Sequence, residues 1–319
     1  MKNLFAALLL LFVARSTIIA ADAAAELASF SVFDKIDIAK LAKGDAKVMH
    51  GPPMSGRYLS VQSVYVAPGS PAQQTQALSQ WDPTRHRELK VYLHGDLPSA
   101  PTPANFSKLK ASDNSSIPKK LSNELQISKD EAKRFSENAA PAFWSDVLAE
   151  RAKSFVSGGS AAQAPYDHSG DAIRASEELS GLLKQQDKIR KQFSGLLGAT
   201  GIGRGPGSLT PELYWELLEA DGQGVVTLGA MYTRAGGNGT QQAADVLYYA
   251  SGGYYVSLTL YQMWPVDVDG KASTLVWRGD LLSSASLASL HGVERLGSES
   301  AMMKDVAKII SFFRRDTAR

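Results

Sequence analysis

The sequence predicts an α+β fold, built from an antiparallel sheet, a long C-terminal helix and a large, mostly helical insertion. Three observations carry this. Apolar and polar residues alternate with a period of two through residues 57–97 and again through 213–283, with glycine-bearing turns between the runs. Residues 99–207 lose that alternation and show apolar stripes at helical spacing. The chain then closes on one amphipathic stripe over 299–316. No internal repeat is present, so residues 24–319 read as a single domain with a helical insertion at about 99–207.

Residues 1–23 read as an export leader. Lys2 supplies the positive start, Leu4 to Val13 is apolar but too short to span a bilayer, and Ala21-Asp22-Ala23 fits a small-residue cleavage pattern. The expected location is outside the cytoplasm, periplasmic or extracellular, with no transmembrane anchor after the leader is removed. Cysteine is absent, which excludes disulfides, thiol nucleophiles and thiolate metal sites. Loss of residues 1–23 removes Lys2, Arg15 and Asp22, so counts of 34 basic and 32 acidic side chains become 32 and 31. That near-neutral balance has no basic stripe to follow a phosphate backbone, and nucleic acid is not an expected partner.

The elements follow in order. FDKIDIAKLAKGD (33–45) reads as a short helix ended by Gly44, and RYLSVQSVYVAP (57–68) as a strand with Leu59, Val61 and Tyr65 on one face. Ser70, Pro71 and Gln73 form a capping-box start for a helix that ends near Asp82-Pro83. ELKVYLHGDL (88–97) reads as the next strand, with Leu89, Val91 and Leu93 on one side and Lys90, Tyr92, His94 and Asp96 on the other. PSAPTPANFSKLKASDNSSIPKK (98–120) reads as an irregular surface segment. Helices are expected over 141–159, with Trp144, Val147, Leu148 and Phe155 inward, and over 171–198. The second carries a stripe of Leu179, Leu182, Ile189, Phe193 and Leu196 that Gln186 interrupts. LYWELLEA (213–220) has an ambiguous period, but Asp221 to Gly224 signals a hairpin into VVTLGAMYTR. Gly252-Gly253 signals a second hairpin, and DVDG (267–270) a turn into TLVWRGDLLSS. Val256, Leu258, Leu260 and Trp264 share a face, as do Trp277 and Leu281, with Arg278 and Asp280 opposite. In the last helix Met302, Met303, Val306, Ile310 and Phe313 form the stripe, and Arg314 and Arg315 suit the negative end of the helix dipole.

This order of elements resembles the START-like helix-grip superfamily of polyketide cyclases, plant allergens and lipid-transfer domains. SVYVAPGSPAQQTQALSQWDPTRHRELKVYLHGDL carries the likeness to its opening, and YYVSLTLYQMWPVDVDGKASTLVWRGDLLSS with the final helix to its close. The resemblance implies a curved antiparallel sheet gripping the long helix around an apolar cavity. It names no catalytic residue and no cofactor. It also implies a cavity lining of Leu258, Leu260, Trp264, Trp277, Met302, Met303, Val306, Ile310 and Phe313, with Arg278 placed for a carboxylate or phosphate, whereas alternation alone favours an Arg278–Asp280 pair on a solvated face.

The expected function is therefore non-catalytic binding of a small hydrophobic or amphipathic, lipid-like ligand. One alternative is a hydrolase or cyclase-like enzyme using His86, His94 and Asp96. Another is an envelope interaction module whose helical insertion docks a protein partner through Leu182 and Phe193. The stretch WDPTRHRELKVYLHGDL has no zinc-ligand spacing and no nucleophile, so a solvated strand face after an inward Trp81 is favoured over a metal or acid–base site. GATGIGRGPGSLTPE (198–212) follows a helix and lacks the Gly-Lys-Ser/Thr ending of a phosphate loop, and reads as a linker. DVDG lacks the further acidic positions of a calcium loop.

Overall fold

The computed structural model describes residues 22–110, 116–220 and 222–318. Residues 1–21, which hold nearly all of the expected leader, lie outside them. The described chain enters in a helix over 22–30 (α1), whose Ala23, Leu27 and Phe30 are buried. The helix expected over 33–45 is only Ile38–Lys43 (α2), because Asp37 caps its start and Gly44 its end. Strand β1 (Lys47–His50) was not foreseen, being four residues long. Strand β2 (Tyr58–Pro68) and helix α3 (Pro71–Gln80) follow as expected, and the Ser70–Gln73 capping box is fully formed.

Strand β3 is Val91–Leu97 rather than 88–97. Two short 3-10 turns, Pro83–Arg85 and Arg87–Leu89, precede it, and Lys90 stands in the left-handed region at φ 56°. A residue in that conformation ends one element and redirects the chain, so Leu89 and Lys90 do not join the strand's alternation. The segment after β3 also departs from expectation. It coils into the 3-10 segment Pro103–Lys110, and Phe106, Leu109 and Ile117 are buried in the core despite the Pro- and Ser-rich sequence.

The insertion continues with α4 (Lys129–Ala132) and α5 (Ala140–Gly158), which buries Trp144, Val147, Leu148 and Phe155 and stops at Gly159, φ 64°. The single helix expected over 171–198 is three: α6 (Ala175–Lys184), α7 (Asp187–Gln192) and α8 (Ser194–Thr200). Breaks fall at Gln185–Gln186 and at Phe193. The stripe is nonetheless buried throughout, and Gln186 is buried with it, its amide donating to the Pro52 carbonyl at 3.4 Å.

Strands β4 (Glu212–Ala220), β5 (Gln223–Ala235), β6 (Gln241–Ala250), β7 (Val256–Val268) and β8 (Lys271–Ser283) follow, and then α9 (Gly292–Thr317), about two turns longer at its start than the stripe predicted. The β7–β8 turn is closed by Asp269 and Gly270, both at positive φ (53° and 77°), as a two-residue hairpin requires. All eight strands form one curved antiparallel sheet in the order β1-β2-β8-β7-β6-β5-β4-β3. This α+β arrangement, with its long terminal helix, is compatible with a helix-grip-like fold.

Both sheet faces are covered. On one, the insertion and α1 pack a large cluster that includes Trp144, Leu179, Phe193, Trp215, Leu260 and Trp277. On the other, α3 and α9 pack a smaller one around Val61, Tyr65, Met263, Val306 and Ile310. Helix α9 makes its main sheet contacts with β1 and β2 and also reaches the turn at 87–89 before β3. Its start is held by Arg295, which donates to the carbonyls of Met54 and Gly56 (2.9 Å each) and of Tyr58.

Candidate functional site

The sheet divides the residues expected to line one cavity. Leu258, Leu260, Trp264 and Trp277 belong to the insertion-side cluster. Met302, Met303, Val306 and Ile310 lie on the α9 side. Arg278 alternates with Trp277 along β8 and so faces the α9 side, while Phe313 meets the Trp81 ring edge-on at 5.8 Å. Period-two alternation says which residues share a face of one strand. It does not say which face the terminal helix covers, and here the helix covers the face opposite the leucines and tryptophans.

The α9 face of the central strands carries hydrogen-bonding groups in cross-strand rows. In one row His94, Glu216 and Thr227 are direct neighbours. In the next, Tyr214 stands beside Gly229. In a third, Asp245, Thr259 and Asp280 follow one another across β6, β7 and β8. Gly229 links the last two rows: a Cβ there would meet the Tyr214 ring at 2.1 Å. The bare backbone lets the tyrosine lie across β5, and its hydroxyl donates to Asp245 Oδ1 at 2.7 Å. His94 stacks on the same tyrosine, ring centroids 5.6 Å apart, and its Nδ1 is 3.1 Å from Glu216 Oε1.

The electrostatics of these groups differ from those of a wet surface. Burial pushes the Asp245 carboxyl up to about 6, against the pull of the Tyr214 hydrogen bond. Burial works against a charged His94, but the hydrogen bond and charge of Glu216 outweigh it, and its pKa is raised. Burial, followed by the charges of Glu216 and Asp245, also raises the phenol of Tyr254. Arg278 and Asp280 form a buried pair, three contacts of 2.6–3.0 Å, and Thr259 donates to the same carboxylate at 3.0 Å. Arg278 is thus committed to a neighbour on its own strand. Thr227 Oγ1 is fully buried and has no hydrogen-bond partner.

His86 and His94 do not share a site. His86 stacks flat on Phe312 at 4.3 Å, and its Nε2 is 2.7 Å from Asp316 Oδ2, which also accepts from Trp81 Nε1 at 3.0 Å. These contacts fasten the last turn of α9 to the loop before β3. Asp96 lies 3.6 Å from His94, but its side chain is 91% exposed. Among the described residues no group of three or more His, Asp or Glu is placed to hold a metal ion.

Sequence reasoning missed Tyr214, Glu216, Thr227, Asp245 and Thr259. A signal exists: each is a polar residue on the minor face of an otherwise apolar strand run, such as Asp245 in ADVLYYA. Their convergence depends on register, which alternation alone does not give. No family model matches the chain, and no curated protein or solved structure matches it either.

Proposed function

We propose that this chain is a binding protein for a small amphipathic ligand held between α9 and the α9 face of the sheet. The observation that supports this reading is the set of underused hydrogen-bonding groups on that face. Asp245 receives one side-chain donor, from Tyr214, and Thr227 Oγ1 has no partner. A buried polar group left unpaired costs about 1–3 kcal/mol. A ligand hydroxyl or amine reaching this face would donate to Asp245 and pair with Thr227. The half-buried thioethers of Met302 and Met303 offer an adaptable apolar surface for the remainder of such a ligand. Export, read from residues 1–23, is part of the same proposal. The interaction-module reading has less support, since Leu182 and Phe193 are fully buried.

The test is Met303→Trp, a change at a half-buried position. Binding of a solvatochromic hydrophobic probe is expected to fall at least tenfold with the denaturation midpoint unchanged. A lowered midpoint, in a protein whose parent binds no probe, would mean that the stripe is only packing.

A further inference from the structure

We propose a second site, a cleft for an anion-headed single-chain amphiphile, carrying a phosphate or carboxylate on an apolar tail. The cleft has a volume of about 890 Å³ and lies between the end of α2, the end of β2, the β7–β8 turn and the C-terminal half of α9. Its lining includes none of Tyr214, Glu216, Thr227 and Asp245. Its walls carry five cations, Lys43, Lys271, Lys308, Arg314 and Arg315, against two aspartates, Asp45 and Asp269. The chain as a whole is nearly neutral, at +2. Such a concentration of one sign around a concavity raises the local anion concentration.

The neighbours of these cations leave donors free. Lys43 is 3.7 Å from Asp269 and Lys308 is 3.4 Å from Asp305, both longer than the 2.7–2.9 Å typical of a charge-assisted hydrogen bond. Arg314 is oriented by one bond, Nη1 to the Gly44 carbonyl at 2.7 Å, while Arg315 lies over the Phe312 ring at 4.8 Å with Nη2 3.4 Å from His86 Nδ1. Compensation of the helix dipole accounts for Arg314 and Arg315 in the last turn of α9. Lys43 stands likewise in the last turn of α2, but dipole compensation does not account for Lys271, which comes from a strand, or for Lys308, more than a turn earlier.

The floor explains why the anion should bear a tail. Ala46, Ala67, Ala272, Ala307 and Ile310 line it, and the four methyl side chains leave the space that larger residues would fill. Small-molecule sites commonly combine such an apolar lining with a few polar groups at one end.

Titration calorimetry with decyl phosphate at low salt tests the assignment. Wild type is expected to bind it, with affinity falling as salt rises. The double variant Lys271→Glu/Lys308→Glu should weaken binding at least tenfold, and Ala307→Trp should abolish it, with thermal midpoints near that of wild type. Tyr214→Phe should leave it unchanged. Inorganic phosphate alone should bind at least tenfold more weakly than the decyl ester. Absence of binding, equal affinity for inorganic phosphate, or indifference to the charge reversal would each overturn the proposal. Binding that survives Ala307→Trp but is lost in Tyr214→Phe would also overturn it, by assigning the probe to the first site.

Discussion

At residue scale, Asp245 is a buried carboxyl held away from its ordinary range. Its carboxyl is pushed up to about 6 by burial, against an unfolded value of about 4. A carboxyl whose pKa is higher in the folded protein binds its proton more tightly there. Its contribution to stability is fully present below about pH 4 and is lost as the pH rises through about 6. Asp245→Asn keeps an oxygen for the Tyr214 hydroxyl and does not titrate. The variant's stability relative to wild type should therefore increase between about pH 4 and 6 and level off above, as read from urea midpoints across that range. A constant difference at all pH values would show that Asp245 titrates normally. The glycine that lets Tyr214 reach this aspartate, Gly229, is recognisable only once the strands are paired.

At element scale, local chemistry was legible where it is truly local. Ser70, Pro71 and Gln73 specify the start of α3, and the hydroxyl of Ser70 accepts from the Gln73 amide as that spacing requires. Ser70→Ala should cost about 1 kcal/mol of global stability, measured by chemical denaturation, because one orphan amide at the helix start loses its acceptor. The three helices α6 to α8 were read as one because each presents its apolar residues to the same core face. The stripe runs on through breaks that Gln186 and Phe193 make in the backbone. Likewise, Phe106 and Leu109 sit too sparsely in a Pro- and Ser-rich run to declare themselves as core, and their burial comes from packing against α5 and Trp215. Strand identities were legible from alternation. The α9-face site was not, since Tyr214 and Asp245 are 31 residues apart and meet only through two registers and a bulge near Leu228 and Gly229.

At the scale of the whole molecule, a buried ion pair joins two helices of the insertion, α4 and α5, and also touches the sheet. Arg151 on α5 donates to Glu131 from Nε (2.8 Å) and Nη2 (2.6 Å) and to the Ala164 carbonyl, and its guanidinium lies 4.3 Å from the Tyr249 ring on β6. Removing one member leaves the other charged and buried, at a typical cost of about 3–5 kcal/mol. Arg151→Met should lower the stability of the whole protein by that order, in a single unfolding transition followed by tryptophan fluorescence and circular dichroism. An early, separate transition would show that the insertion unfolds independently of the sheet. The sheet thus has one face covered by the insertion and the other by α3 and α9, and on the α9 face Tyr214, Asp245 and Thr227 gather within adjoining cross-strand rows. Native mass spectrometry of the protein purified from its own host, run beside Tyr214→Phe, tests ligand binding on that face most directly. The expected wild-type spectrum carries a small-molecule adduct that is released on activation and is depleted in Tyr214→Phe. A wild-type spectrum of bare chain alone, or an adduct equally abundant in the variant, would contradict a ligand site on the α9 face.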